Sequence, residues 1–97
     1  MASTNEIIEL DKKYIATIYN RLPVAIASGK GATVFDAEGK EYIDCMAGIA
    51  SVSLGHSNPK VLKAMREQAK KIMHVSNWVY NESAPAYAQK LIEACGI

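Results

Sequence analysis

The chain has 97 residues, a length at the small end of single-domain sizes. Eleven Lys and Arg against ten Asp and Glu leave a net charge of +1, which excludes the basic footprint of a nucleic-acid binder and the acidic tail of a disordered segment. Apolar residues make up 49% of the chain, an ordinary globular share. No run approaches the roughly 18 consecutive apolar residues of a membrane span, so neither nucleic acid nor a membrane is an expected partner.

The first ten residues carry Glu6 and Glu9 and no Lys or Arg, unlike a secretory signal or a transit peptide. Ser3-Thr4-Asn5-Glu6 has the form of a capping box, a hydroxyl cap with a glutamate three positions later. Ile7, Leu10, Tyr14 and Ile18 follow at helical spacing, with Ile8 and Ile15 alongside, and predict a helix from Thr4 to Tyr19. It should end near Asn20 to Pro23, because a residue before proline avoids helical angles.

Val24 to Ser28, Ala32 to Asp36 and Glu41 to Cys45 are short runs rich in β-branched and aromatic residues. Gly29-Lys30-Gly31 and Ala37-Glu38-Gly39 separate them, and Gly39 supplies the positive φ that lets a strand turn back. Three strands in an antiparallel meander follow. Met46 to Leu54 is small and apolar, and reads as a buried, irregular or extended stretch. Asn58 as N-cap and Pro59 in the first turn open a helix that should run to His74, with Val61, Leu62, Met65, Ala69, Ile72 and Met73 in its stripe. A loop through Asn77, Trp78 and Tyr80 leads to a last helix from Ser83 to Ala94, with Tyr87, Leu91 and Ile92 inward and Gly96 as its stop.

Chemistry-bearing residues are sparse. Cys45 and Cys95 form no C-x-x-C motif, and read as buried free thiols in a reducing, cytoplasmic compartment. Gly29-Lys30-Gly31 precedes a strand, so it reads as a turn and not as a phosphate cradle. His56 stands beside a helix N-terminus, where it could meet an anion or move a proton. Without a second His or Cys at ligand spacing it reads as a side chain bonding its own loop backbone, and no metal is expected. Asp36, Glu38, Glu41 and Asp44 read as solvated acids around a hairpin. Tyr19, Trp78 and Tyr80 sit at element ends, where an aromatic is a better pocket candidate than in a helix stripe.

The order of these pieces is distinctive. Pro23-Val24, Gly29-Lys30-Gly31-Ala32, the run Asp36 to Asp44, Ala47-Gly48-Ile49-Ala50 and Leu54-Gly55-His56-Ser57-Asn58-Pro59-Lys60-Val61 together resemble the start of the class III (subgroup II) pyridoxal-phosphate aminotransferases. The match continues through Ala64, Glu67-Gln68-Ala69 and His74-Val75-Ser76-Asn77 to Tyr80, and is most similar to the acetylornithine and 4-aminobutyrate enzymes.

The resemblance implies that residues 1–97 are an α+β segment of a fold-type I enzyme, contributing to its small domain, with the large cofactor-binding domain outside this chain. It implies amino transfer from an ω-amino acid such as N-acetylornithine, or alternatively 4-aminobutyrate, to a 2-oxo acid such as 2-oxoglutarate. Pyridoxal 5'-phosphate would be the cofactor and a homodimer or higher the assembly. By the same likeness Tyr19, Ile49 and Trp78 are substrate-binding. Ornithine enzymes tend to carry tyrosine where Ile49 stands, and Ile49 offers an apolar wall instead. The cofactor lysine, its pyridine aspartate, the phosphate cup and the carboxylate-binding arginine would all lie beyond Ile97, which leaves the chain alone inactive and prone to association. The rival expectation is a non-catalytic interaction module.

Overall fold

The structure, a computed structural model, describes residues 2–96. The chain divides into two compact units, one through Lys63 and one from Ala64.

Helix α1 (Thr4–Tyr14) opens the first unit. Ser3 caps it through the expected box: its Oγ accepts from the Glu6 N–H at 3.3 Å, and the Glu6 carboxylate accepts from the Ser3 N–H at 2.7 Å. The helix stops five residues before the expected end. Ile15 turns extended (φ −110°, ψ 132°), and Arg21 comes back to bond Asp11 at 3.1 Å. Apolar spacing continued to Ile18, but the β-branched Ile15, Thr17 and Ile18 favour helix weakly, and the return of the chain decides the boundary.

Strands β1 (Ile26–Lys30), β2 (Thr33–Asp36) and β3 (Glu41–Ile43) form the expected antiparallel meander in the order β1-β2-β3. The first turn is tighter than Gly29-Lys30-Gly31 suggested. Lys30 pairs with Thr33 across the two residues Gly31 and Ala32, and Gly31 has φ 60°. The second turn follows expectation, with Gly39 at φ 83°. Val34, facing Gly29 on one side and Tyr42 on the other, and Asp36 are the buried residues of the described chain. The Asp36 carboxylate accepts from the Glu38 and Lys40 N–H groups at 3.0 and 2.8 Å and from the Tyr42 hydroxyl at 2.9 Å. Burial pushes its pKa up, but these donors and the Lys40 charge outweigh burial and hold it below the ordinary value. Glu38 at the hairpin tip accepts from the Thr4 hydroxyl at 2.5 Å and from its N–H at 2.7 Å. The hydroxyl first, and the N–H second, lower the Glu38 pKa.

Met46 to Leu54 is neither buried nor extended. Met46, Ile49 and Leu54 are exposed, and Ala47–Ala50 (α2) is a single left-handed turn. Its four residues have φ of 48°, 60°, 57° and 61°. Only Gly48 takes this conformation freely; an L-residue there costs roughly 1–2 kcal/mol. Helix α3 (Pro59–Lys71) begins where predicted, with the Asn58 Oδ1 accepting from the Lys60 and Val61 N–H groups at 3.0 and 3.3 Å. It ends three residues short of His74, where the Gln68 amide caps the Ile72 carbonyl at 3.0 Å.

In the second unit, helix α4 (Ser83–Cys95) ends at Gly96, left-handed at φ 66°, as expected. Tyr87, Leu91 and Ile92 do not face a core, since all three are exposed, and Cys45 and Cys95 are exposed as well. An apolar stripe tells which face a helix offers, not whether a layer of this chain covers it. None of the helices described is long and apolar enough to cross a membrane.

Candidate functional site

The chemistry of the first unit gathers where the sheet meets the Gly55–Ser57 loop. His56 bonds Gly31 through both main-chain groups, Gly31 N–H to His56 O at 2.9 Å and His56 N–H to Gly31 O at 2.8 Å. This bridge needs glycine on both sides. Gly55 has φ 84°, and a Cβ on it would lie 3.0 Å from the Gly31 Cα. Gly29 serves the ring: a Cβ there would stand 2.9 Å from the His56 Cγ and 3.2 Å from the Val34 Cγ1.

So placed, the His56 Nε2 meets the Asp44 Oδ2 at 2.6 Å, with both side chains largely covered (27% and 16% exposed). The other carboxylate oxygen, Oδ1, accepts from the Met46 and Ala47 N–H groups, each at 2.9 Å. The His56 bond first, and the Ala47 N–H second, hold the Asp44 carboxyl below the ordinary carboxylate range, with the Met46 N–H and the histidine charge assisting. Gly31, Ala32, Asp44, Ala47, Gly55 and His56 line an open cleft of about 390 Å³.

By residue pattern alone His56 reads as a side chain bonding its own loop backbone and Asp44 as a solvated acid. Both readings are corrected: the two bond each other across twelve residues of sequence. The available signal was a histidine preceded by Gly55 and an aspartate just ahead of a glycine-containing apolar run. Asx-type bonding to the following amides is the ordinary use of such an aspartate.

Of the residues singled out for substrate, Tyr19 lies in the connection between α1 and β1 and is 68% exposed. Ile49 lies on the left-handed turn and is 89% exposed, and the cleft beside Asp44 includes neither. Trp78 belongs to the second unit, 96% exposed in the loop before α4.

The family model of Aminotransferase class-III matches residues 14–97. Acetylornithine aminotransferase of Methanosarcina mazei is 45% identical over 96 residues, which is 99% of this chain and 24% of that protein. The enzyme of the same name from Methanothermobacter thermautotrophicus is 47% identical over 88 residues, 91% of this chain and 23% of its own length. Among solved structures, the acetylornithine aminotransferase of Elizabethkingia anophelis superimposes on all of this chain with a TM-score of 0.95 at 37% identity, the match covering 25% of that chain. The ornithine aminotransferase of Toxoplasma gondii follows at a TM-score of 0.92 and 31% identity, covering 99% of this chain and 23% of its own. The chain thus spans about a quarter of the length of the relatives it matches. Matched by the family model from residue 14 to residue 97, well over half of its length, the chain belongs to the class-III aminotransferase family.

Proposed function

We propose that this chain is the N-terminal part of a pyridoxal-phosphate-dependent aminotransferase that moves the amino group of an ω-amino acid, N-acetylornithine or a close analogue, to a 2-oxo acid such as 2-oxoglutarate. The observation that carries the reading is the 45% identity to an acetylornithine aminotransferase over nearly the whole chain. In this reading residues 1–97 contribute to the small domain, a large domain elsewhere in the protein holds the cofactor, the enzyme works as a homodimer or higher, and the compartment is the cytoplasm.

The cofactor supplies the electron sink that lets a carbon–nitrogen bond be remade. No lysine among the described residues is enclosed within this chain, and none is assigned to the cofactor. What this chain contributes is the shape of the substrate site. Tyr19, Ile49 and Trp78 are the side chains assigned to substrate. Ile49 presents a branched hydrocarbon that favours an acylated or uncharged donor end over a free ammonium, because burying an unpaired charge against it is costly.

The test is to incubate the full-length protein and its cofactor with 2-oxoglutarate and, in turn, N-acetylornithine, ornithine and 4-aminobutyrate, and to measure glutamate formed. N-acetylornithine should give the highest kcat/KM, and Ile49→Tyr should narrow its lead over ornithine. Glutamate formation from none of the three donors would remove the reading.

A further inference from the structure

The left-handed turn at Ala47–Ala50 is the conformationally expensive part of this chain, and it carries Ile49. A conformation of that kind persists only where its surroundings over-determine it. Inside the turn the Ala50 N–H bonds the Met46 carbonyl at 3.0 Å, the Ser51 and Val52 N–H groups bond the Ala47 carbonyl, and the Ser51 hydroxyl bonds the Gly48 carbonyl at 2.6 Å. These bonds close the turn on itself without fixing where it stands.

It is tied to the sheet at Asp44, whose N–H bonds the Ala32 carbonyl at 2.8 Å and whose carboxylate makes the side-chain attachment. One oxygen takes the Met46 and Ala47 N–H groups that start the turn, and the other takes the His56 Nε2. His56 is in turn held to Gly31 by two main-chain bonds, at the edge of the meander. An unbroken series of contacts therefore runs from the sheet through Gly31, His56 and Asp44 to the turn. Gly29 is part of it, because any side chain there would displace the His56 ring. The two amides occupy only Oδ1, and His56 is the partner of the largely covered Oδ2, so the histidine both satisfies that oxygen and ties it to the sheet. The bond fixes the carboxylate to the sheet, and so fixes the turn.

We propose that Asp44 and His56 act as positioning residues for the substrate site: the pair clasps the left-handed turn to the sheet and thereby sets the place of Ile49. The role at substrate rests on the reading of Ile49 as a pocket wall, and the experiment separates the two. In the full-length protein, hydrogen exchange is followed by mass spectrometry over residues 46–54, alongside KM and kcat for the amino donor. Asp44→Ala and His56→Ala should each speed exchange of the Ala50, Ser51 and Val52 amides about tenfold or more, the loss of a charge-assisted bond being of that order. The β2 amides, Thr33–Asp36, should keep their rates. KM for the donor should rise several-fold, by about the same order, with kcat held within about twofold.

His56→Gln, whose amide can stand where Nε2 stands, should restore much of the protection. Ala47→Gly in the Asp44→Ala background should do the same by a different route, since glycine takes positive φ without strain. Asp44→Asn keeps the shape and weakens the bond, and serves should the alanine variant fail to fold; it should lie between wild type and Asp44→Ala. Unchanged exchange of the turn in His56→Ala, which leaves the Met46 and Ala47 bonds to Asp44 in place, overturns the clasp, as does unchanged exchange in Asp44→Ala or Asp44→Asn. Faster exchange with KM unchanged for every donor overturns the positioning role and takes Ile49 out of the pocket. Should the protein transaminate none of the donors, the exchange arm still reads the clasp by itself.

Discussion

Gly39 and Gly55 offer a matched pair of perturbations. Their φ angles are nearly the same, 83° and 84°. They differ in what a Cβ would meet: nothing within 4 Å at Gly39, but the Gly31 Cα at 3.0 Å and the Gly31 carbonyl at 3.2 Å at Gly55. Alanine at either site takes the left-handed penalty, about 1–2 kcal/mol. It also gains the same small restriction of the unfolded chain, which cancels in the comparison. At Gly55 the methyl must in addition force two backbones apart, an overpacking cost of about 1–3 kcal/mol. Gly39→Ala should therefore cost about 1–2 kcal/mol, and Gly55→Ala about 2–5 kcal/mol. Native-state hydrogen exchange of the full-length protein reads both locally. At about 1.4 kcal/mol per tenfold, the Gly31 and His56 amides should exchange roughly 30-fold to several thousand-fold faster in Gly55→Ala. The Gly39 amide, bonded to the Asp36 carbonyl at 3.0 Å, should exchange roughly 5- to 30-fold faster in Gly39→Ala. Equal costs for the two variants, within about 0.5 kcal/mol, would refute the claim that close approach at the Gly31–His56 bridge is what demands glycine.

Asn58→Ala should cost about 1 kcal/mol by removing the acceptor for the Lys60 and Val61 N–H groups, read as roughly fivefold faster exchange at those two amides. Acid should loosen the first unit. Asp44, lowered from 3.8 by the His56 bond first, and Glu38, lowered from 4.5 by the Thr4 hydroxyl first, each stabilise the folded form above their unfolded pKa and lose that contribution as pH falls through the lower folded value. Exchange protection of the turn and of α1, corrected for intrinsic rates, should hold above pH 4.5 and decline below 3.8; protection that rises on acidification through this window would contradict the assignment.

What was legible in the sequence was local. The Ser3–Glu6 box, the Asn58 cap, Gly39 and Gly96 each act on backbone within a few residues, and all four stand where pattern reading put them. The meander was legible for the same reason, since its two turns join neighbouring strands. Boundaries failed where distant partners intervene: Arg21 returning to Asp11 accompanies the early end of α1, and Gly29 reads as a turn residue until the His56 ring is seen to need its space. The left-handed turn is the clearest case. Nothing in Ala-Gly-Ile-Ala predicts three L-residues at positive φ, because the side chain that anchors the turn is Asp44 and its own support is His56. The Asp44–His56 bond that organises the first unit was not legible, because its two partners stand twelve residues apart, and the cleft beside it includes none of Tyr19, Ile49 and Trp78, the residues that family likeness singled out.

The Glu38–Thr4 contact bears on the order in which the protein comes into being. An 11-residue helix is marginal on its own, and α1 leaves the ribosome before the meander does. The carboxylate that grips its leading end is synthesised 34 residues later, at the tip of the second hairpin. The meander, joined by tight turns, can assemble as it emerges, while α1 must wait for it. Helix α1, made before the meander, is thus expected to be secured after it, and a nascent chain stalled before Glu38 would hold α1 without its anchor.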